Sequence, residues 1–189
     1  SGVCVPDGDW IPNNREGLTI CDATSAAFSM RLPWEKLDAT TFSWQKVLGG
    51  EAQHGVIVLG PKAIHRLESF IPNRAIPKIF QLSNKGKVNK KLFTGSTINT
   101  PSMLCVEDAL DTLKWVKQVG GIEKTIELSR KNLLVVEKKI KNSLWLDFLP
   151  EEESIRSCTS ICLRIKESVL EKYATCLLYT SPSPRDKRQ

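Results

Sequence analysis

The chain has 189 residues, of which 41% are hydrophobic and 25% are charged, the composition of an ordinary water-soluble globular protein. A formal net charge of +6 suits anionic ligands but is too small and too dispersed to indicate nucleic-acid binding. No apolar run approaches the roughly 20 residues that cross a bilayer, and no signal peptide opens the chain, so membrane association is not predicted.

Three short apolar runs in the first third of the chain predict β-strands. They cover residues 18–21, 39–42 and 55–60. The first has the composition of a buried parallel strand, and residues 1–17 before it are predicted as loop. Asp22 directly follows the first run, and Lys46 lies just beyond the second. Pro61 suits the first turn of a helix that covers about 62–69.

The middle of the chain predicts a long loop followed by a helix. Residues 71–97, with a basic cluster at 85–91, form a loop of the length that is usually functional or mobile. Thr100 is predicted to cap a helix that has Pro101 at its first position and ends at Gly120. The apolar residues that recur at helical spacing are Met103, Val106, Leu110 and Leu113.

Three further elements are predicted beyond residue 121. Apolar residues at helical spacing mark a helix of about 20 residues that starts near Ile122. Residues 159–165 alternate between apolar and polar side chains and predict a half-buried strand. A short helix is expected at about 166–175.

Six cysteines and two histidines limit the metal and redox chemistry of this chain. No two cysteines form a Cys-x-x-Cys pair, so a zinc site is not expected. Several cysteines lie in apolar runs, where a free cysteine behaves as a small hydrophobic residue. The pattern predicts free thiols, no bound metal and a reducing, cytoplasmic compartment.

The order strand, acid, strand, lysine, strand, helix is typical of an α/β protein. Ligands of open α/β sheets bind beyond the carboxyl ends of the strands, so we expect Asp22 and Lys46 to face one crevice. Such a pair is what pyridoxal 5′-phosphate (PLP) requires. The lysine forms a Schiff base with the cofactor aldehyde, and the acid keeps a proton on the pyridine nitrogen.

Three separate segments resemble the phosphoserine aminotransferase family. They are residues 21–28 (Cys-Asp-Ala-Thr-Ser-Ala-Ala-Phe), 42–51 (Phe-Ser-Trp-Gln-Lys-Val-Leu-Gly-Gly-Glu) and 97–102 (Thr-Ile-Asn-Thr-Pro-Ser). They occur in the family's order and at plausible separations, and the resemblance extends from about residue 1 to about residue 165. It implies an α/β fold, part of a fold-type I PLP aminotransferase with a mainly parallel sheet and flanking helices.

The resemblance also implies roles for individual residues. Lys46 matches the lysine that forms the Schiff base, and Asp22 matches the acid paired with the pyridine nitrogen. Gln45 matches a ligand of the cofactor phosphate. Asn99 and Thr100 match a pair that reaches across a homodimer to the phosphate bound in the other subunit, and a helix start at Thr100 would add backbone donors there.

The activity implied by the resemblance is PLP-dependent phosphoserine transamination. An amino group passes between glutamate and 3-phosphohydroxypyruvate, giving O-phosphoserine and 2-oxoglutarate, in serine biosynthesis and in many members also in pyridoxine biosynthesis. We expect residues 1–121 to be the C-terminal part of the PLP-binding large domain. Residues 122–175 would be a connecting helix and the start of a small C-terminal α/β domain. Residues 176–189 are expected to be a non-native or disordered tail.

The chain is expected to be a fragment of such an enzyme. The family has a long N-terminal stretch with an aromatic residue that stacks on PLP, and a later arginine that holds the substrate carboxylate. Neither has a counterpart in this chain. We therefore expect the 189-residue chain alone to have little or no activity.

Several residues have weaker support, and two alternative functions remain open. Contacts to cofactor or substrate are conceivable for Trp44, His54, Ser43, Ser25 and Arg74, although structural roles explain most of them equally well or better. One alternative is another class V PLP enzyme, such as a serine–glyoxylate aminotransferase or a cysteine desulfurase. The other is a non-enzymatic anion-binding module built around the basic cluster at 85–91.

Overall fold

The computed structural model describes residues 2–171, which divide into two compact units. The larger unit is Asp7–Leu128, and the smaller one combines residues 2–6 with the described residues from Ser129 onward. The domain limits predicted at residues 121 and 175 stay a prediction. The predicted tail at 176–189 lies outside the described residues.

The larger unit contains a three-stranded sheet in the order β1-β2-β3. Its strands are β1 Ile20–Asp22, β2 Ala39–Ser43 and β3 Gly55–Leu59. β1 runs parallel to β2, with Asp22 opposite Thr41, and β3 runs antiparallel to β2, with Gly55 opposite Ser43. All three predicted strands are therefore confirmed, in a sheet that is mixed over these residues.

The burial expected for the first strand is wrong. The Ile20 side chain is 73% exposed, and Ile57 and Val58 of β3 are exposed as well. An apolar run of this length predicts an extended backbone. Whether the two faces of the strand are buried depends on which other elements pack against it. The sequence of the strand does not contain that information.

Two of the helices belong to the larger unit, and a third extends beyond it. α1 Pro61–Ser69 begins after Gly60 with a proline in its first turn, as predicted. α2 Met103–Val119 ends at Gly120, whose φ of 114° is readily adopted only by glycine. α3 Ile122–Lys141 has 20 residues and confirms the predicted length.

The predicted start of α2 is wrong by two residues. Ser102, not Thr100, is the N-cap, because the first i to i−4 hydrogen bond runs from Val106 N to Ser102 O at 3.1 Å. Thr100 followed by proline fits the composition of a helix start. However, a residue before proline also favours extended backbone, and the chain stays irregular through Pro101.

The apolar repeat expected to mark α2 has the right period, but most of it does not face the core. Met103, Leu110 and Leu113 are exposed, whereas the buried residues are Cys105, Ala109 and Val116. Small side chains thus form the buried stripe. The larger apolar residues lie outside it, where the sequence period alone cannot distinguish them.

The predicted loop at 71–97 is largely irregular, as expected, but it contains a hairpin. β4 Ser83–Asn84 pairs antiparallel with β5 Lys87–Val88 across a turn at Lys85 and Gly86. Both turn residues have positive φ, 49° and 73°, which is the backbone of a two-residue hairpin turn. Short 3-10 helices flank the hairpin at Lys78–Phe80 and Lys90–Thr94.

The smaller unit contains a two-stranded antiparallel sheet, β6 Leu146–Phe148 with β7 Leu163–Ile165. The predicted strand at 159–165 is therefore present only over its last three residues, and β6 was not predicted. Residues 167–171 are helical, as far as the structure describes the helix expected at 166–175. The Arg156 guanidinium lies 4.2 Å from the centroid of the buried Phe148 ring, a cation–π contact within this unit.

Within residues 2–171, none of the helices combines the length and the hydropathy that a transmembrane span requires.

Candidate active site

The polar residues of interest gather where β1 and β2 end. Asp22 is the last residue of β1, and because β1 and β2 are parallel, their carboxyl ends share one edge of the sheet. Lys46 lies in the turn that follows Ser43, the last residue of β2. His54 precedes β3, whose first residue pairs with Ser43 at the same edge. The backbone thus brings Asp22, the Lys46 turn and His54 to one edge.

The turn that carries Lys46 depends on two glycines. Gly49 N donates to Lys46 O at 3.0 Å, and Gly50 N donates to Trp44 O at 2.9 Å. Gly49 has a φ of 69°, a conformation that side chains disfavour. A Cβ on Gly50 would come within 3.2 Å of the Trp44 ring. The pair Gly49-Gly50 therefore lets the backbone fold back under an exposed Lys46 side chain.

Trp44 and His54 form one wall beside this turn. Their ring centroids are 5.6 Å apart with an interplanar angle of 82°, a favourable edge-to-face arrangement. The Ser43 hydroxyl donates to His54 O at 2.7 Å and fixes the backbone at that position. Ser43 is therefore a structural link between β2 and the segment before β3.

Three polar atoms in this region are buried without a hydrogen-bond partner. They are Trp44 Nε1, Gln45 Oε1 and His54 Nε2, and within residues 2–171 the other such side-chain atom is Arg15 Nε. An unpaired buried donor or acceptor costs about 1–3 kcal/mol, so native proteins keep few of them. Three of them within eleven consecutive residues indicate that this segment requires a hydrogen-bond partner that it does not contain.

Asp22 is held in its charged form. Its Oδ1 accepts hydrogen bonds from the Thr24 hydroxyl at 2.6 Å and from Thr24 N at 3.0 Å. The Thr24 hydroxyl, and after it the Thr24 N–H, hold the pKa of Asp22 below its usual value against a smaller opposing effect of burial. The carboxylate itself is exposed, so it is available to a cationic group at this edge.

Asn99 and Thr100 are not connected to the lysine turn by any contact that the structure describes. Both are exposed and lie in the irregular stretch before α2. Neither forms a hydrogen bond or an ion pair within the described part of the chain. Arg74 is likewise exposed, and Ser25 O accepts a hydrogen bond from the Ser29 hydroxyl at 2.9 Å.

A buried ionic cluster that sequence patterns did not predict lies at the opposite end of the sheet. Asp38 Oδ2 accepts from Arg15 at 2.7 Å and from Thr19 N at 2.7 Å, and Lys62 donates to Arg15 O and to Gly17 O. Burial would raise the pKa of Asp38, but these hydrogen bonds and the charges of Arg15 and Lys62 hold it below its usual value. No local pattern relates residues 15, 38 and 62, so only the fold reveals the cluster.

Within residues 2–171, no group of three or more histidine, cysteine, aspartate or glutamate side chains is arranged to hold a metal ion. The five cysteines of this part of the chain are free thiols.

Curated proteins similar to this chain are phosphoserine aminotransferases. The one from Methanosarcina barkeri is 58% identical over 165 residues, which are 87% of this chain and 45% of the relative. The one from Methanosarcina mazei is 56% identical with the same coverage. A third, from Parabacteroides distasonis, is 30% identical over 82% of this chain and 42% of the relative. No family model matches the chain.

Solved structures show the same fold. A phosphoserine aminotransferase from Cytophaga hutchinsonii has a TM-score of 0.75 at 22% identity, over 92% of this chain and 50% of that one. PLP-bound phosphoserine aminotransferase from Trichomonas vaginalis has a TM-score of 0.66 at 15% identity, over 92% and 46%. An alanine–glyoxylate aminotransferase from Nostoc sp. has a TM-score of 0.62 at 16% identity, over 86% and 42%.

These structural likenesses define the class. The chain has part of the fold of the PLP-dependent aminotransferases of fold type I, which confirms the predicted α/β fold class. Over 165 aligned residues the chain is 58% and 56% identical to two phosphoserine aminotransferases, which confirms, for a part of their length, the resemblance that its motifs predicted. The chain spans about half the length of the curated relatives it matches.

Proposed function

We propose that the protein to which this chain belongs is a PLP-dependent phosphoserine transaminase. The observation that carries the proposal is the placement of Asp22 and the Lys46 turn at the same carboxyl edge of the sheet. The names of the relatives that are 58% and 56% identical support the same activity. The substrates proposed are glutamate and 3-phosphohydroxypyruvate, with O-phosphoserine and 2-oxoglutarate as products.

The residues at this edge fit PLP by their chemistry. PLP, when bound, supplies an electron sink for bonds broken at the substrate α-carbon. Asp22, kept ionised by Thr24, suits a protonated pyridine nitrogen. Lys46 suits covalent attachment to the aldehyde carbon and the movement of a proton at the substrate α-carbon. Gln45 has an unpaired amide oxygen beside the lysine, and turning that amide over presents its NH2 group to a phosphate.

Asn99 and Thr100 are proposed to contact the cofactor phosphate of a partner subunit in a homodimer. Their exposure and their lack of hydrogen bonds within the described residues support a role toward another chain. Because α2 starts at Met103, Thr100 would contribute its hydroxyl without the backbone N–H groups of the first helical turn. Use of a related substrate in pyridoxine biosynthesis belongs to the same proposal.

Two further properties follow from the sequence. Free cysteines are typical of reducing compartments, which supports a cytoplasmic location. We also propose that the 189-residue chain alone is inactive, because it spans 45% of the length of these relatives.

The test is a transaminase assay on the complete protein, with and without Lys46. We expect wild type to form O-phosphoserine from glutamate and 3-phosphohydroxypyruvate in the presence of PLP, and Lys46→Ala to lose this activity. Lys114→Ala, which removes an exposed lysine of α2, is the matched control and should retain it. Equal activity of Lys46→Ala and Lys114→Ala would contradict the proposal, as would wild-type activity restricted to glyoxylate as amino acceptor.

A second candidate function rests on charge. Residues 69–106 contain six basic and no acidic side chains, a number equal to the net charge of the whole chain. None of the six forms an ion pair within the described residues, and all are exposed. They are Arg74, Lys78, Lys85, Lys87, Lys90 and Lys91. This surface is what a non-enzymatic anion-binding protein would need.

The two candidates are separated by neutralising the lysines of the hairpin region. The variant carries glutamine at Lys85, Lys87, Lys90 and Lys91. The transaminase proposal expects this variant to bind PLP at Lys46 as wild type does. Loss of PLP binding in this variant, with unchanged binding in Lys46→Ala, would favour the anion-binding module.

A further inference from the structure

His54 contributes a buried nitrogen for which the protein offers no partner. Its Nε2 is fully enclosed, yet no donor or acceptor within the described residues reaches it. Its ring packs edge-to-face against Trp44, and its backbone oxygen accepts from the Ser43 hydroxyl. The residue is thus firmly positioned while its most polar atom is left unpaired.

A purely structural histidine would not leave this nitrogen empty. Burying an unpaired imidazole nitrogen costs about 1–3 kcal/mol, and phenylalanine would pack against Trp44 without that cost. Trp44 Nε1, which can only donate, is unpaired in the same wall. The Trp44 N–H needs an acceptor from outside this chain segment, and His54 Nε2, in the tautomer that carries its proton there, would share it.

The chemistry of the missing acceptor is that of an anionic oxygen. Lys46 lies in the same turn as Trp44. Glu51, the acidic residue that follows this turn, is exposed to solvent. A phosphate offers several oxygens that accept from two ring N–H groups at once, and such charge-assisted hydrogen bonds are the strong ones. Both side chains are half-buried, so the wall that they form is not closed off from the surface.

We propose that His54 is a binding residue for the phosphate of the cofactor, with Trp44 as the second donor of the same wall. This inference rests on the proposed function, and it adds His54 and Trp44 to the phosphate contact already proposed for Gln45. Ser43 acts as a positioning residue, because its hydroxyl holds the His54 backbone at 2.7 Å. The phosphate contact explains why a histidine, rather than an apolar ring, packs against Trp44.

The test compares PLP with pyridoxal, which lacks the phosphate, by equilibrium binding to the complete protein. His54→Phe keeps a ring against Trp44 and removes the nitrogen. We expect it to weaken PLP about 10- to 100-fold and to change pyridoxal by less than about threefold. His54→Gln places an amide donor near the position of Nε2 and should recover most of the PLP affinity. His65→Phe, at the exposed histidine of α1, is the control and should leave both affinities unchanged.

The possible outcomes separate this inference from the proposed function. If PLP and pyridoxal weaken equally in His54→Phe, or neither weakens, His54 has only a packing role and the inference is wrong. A thermal melt of each variant identifies loss of fold, and in that case Trp44→Phe, read by the same ratio of PLP to pyridoxal affinity, decides. If wild type binds neither ligand, the proposed function itself fails and the inference fails with it.

Discussion

Polar atoms are buried at both ends of the three-stranded sheet, but the two ends differ in how many of these atoms have a hydrogen-bond partner. At the amino end, Asp38 is bonded to Arg15 and Thr19, although Arg15 Nε remains unpaired. At the carboxyl end, Trp44 and His54 leave their ring nitrogens unpaired. A satisfied cluster stabilises the fold, whereas an unsatisfied one lowers stability unless a ligand completes it. The difference supports a structural role for the Arg15–Asp38 cluster and is consistent with the binding role proposed for the other end.

The largest effect on stability is expected at the amino end. Asp38→Ala leaves the Arg15 guanidinium, whose side chain is 17% exposed, without its counter-charge. Breaking such a buried pair costs about 3–5 kcal/mol, and partial exposure places this site near the lower figure. Urea unfolding of the complete protein measures the loss.

Asp9→Ala is the control for that experiment. Asp9 also pairs with a basic residue, Lys36, but its side chain is 94% exposed. Its loss should change the free energy of unfolding by no more than about 0.5 kcal/mol. Equal effects of the two substitutions would mean that the buried cluster does not stabilise the sheet.

The pH dependence of stability should follow from the same carboxylate. The folded pKa of Asp38 lies below its usual value of about 3.9, so its contribution is fully present above that pH. The contribution is lost as the pH falls from there toward the folded pKa, because the unfolded chain binds the proton first. Asp38→Asn should therefore lose less stability than wild type between about pH 5 and pH 3. A larger loss in Asp38→Asn would reverse the assigned sign.

A smaller effect is expected at the carboxyl end. Gly49→Ala forces a non-glycine residue to a φ of 69°, which costs about 1–2 kcal/mol, while its Cβ meets no atom within 4 Å. The melting temperature should fall accordingly, and Gly17→Ala, in open space without positive φ, should leave it unchanged. If Gly49→Ala is equally neutral, the turn around Lys46 does not need this backbone conformation.

The sequence predicts the strands and most of the helices, because their signals are local. The apolar runs before Asp22 and Lys46 indicated both strands, and the edge that they share follows from their parallel pairing. The helix start predicted at Thr100 was wrong because Thr100 and Ser102 satisfy the same capping preference. Only the hydrogen bonds of the folded chain distinguish the two positions.

Other features depend on contacts between distant residues and have no local signal. The Arg15–Asp38 pair joins residues 23 positions apart, and β6 is a three-residue strand that forms only by pairing with β7. The unpaired nitrogens of Trp44 and His54 belong to this group as well. The residues are visible beside the lysine motif, but the lack of a partner appears only once the rings are packed.

We propose that Lys46 and Asp22 together bind one PLP molecule at the carboxyl edge of the sheet. Borohydride reduction of the complete protein with PLP, followed by peptide mapping, identifies the lysine that carries the cofactor. We expect one covalent label, on Lys46, and its loss in Lys46→Ala. A label confined to other lysines, or none at all under conditions where the protein is folded, would contradict it.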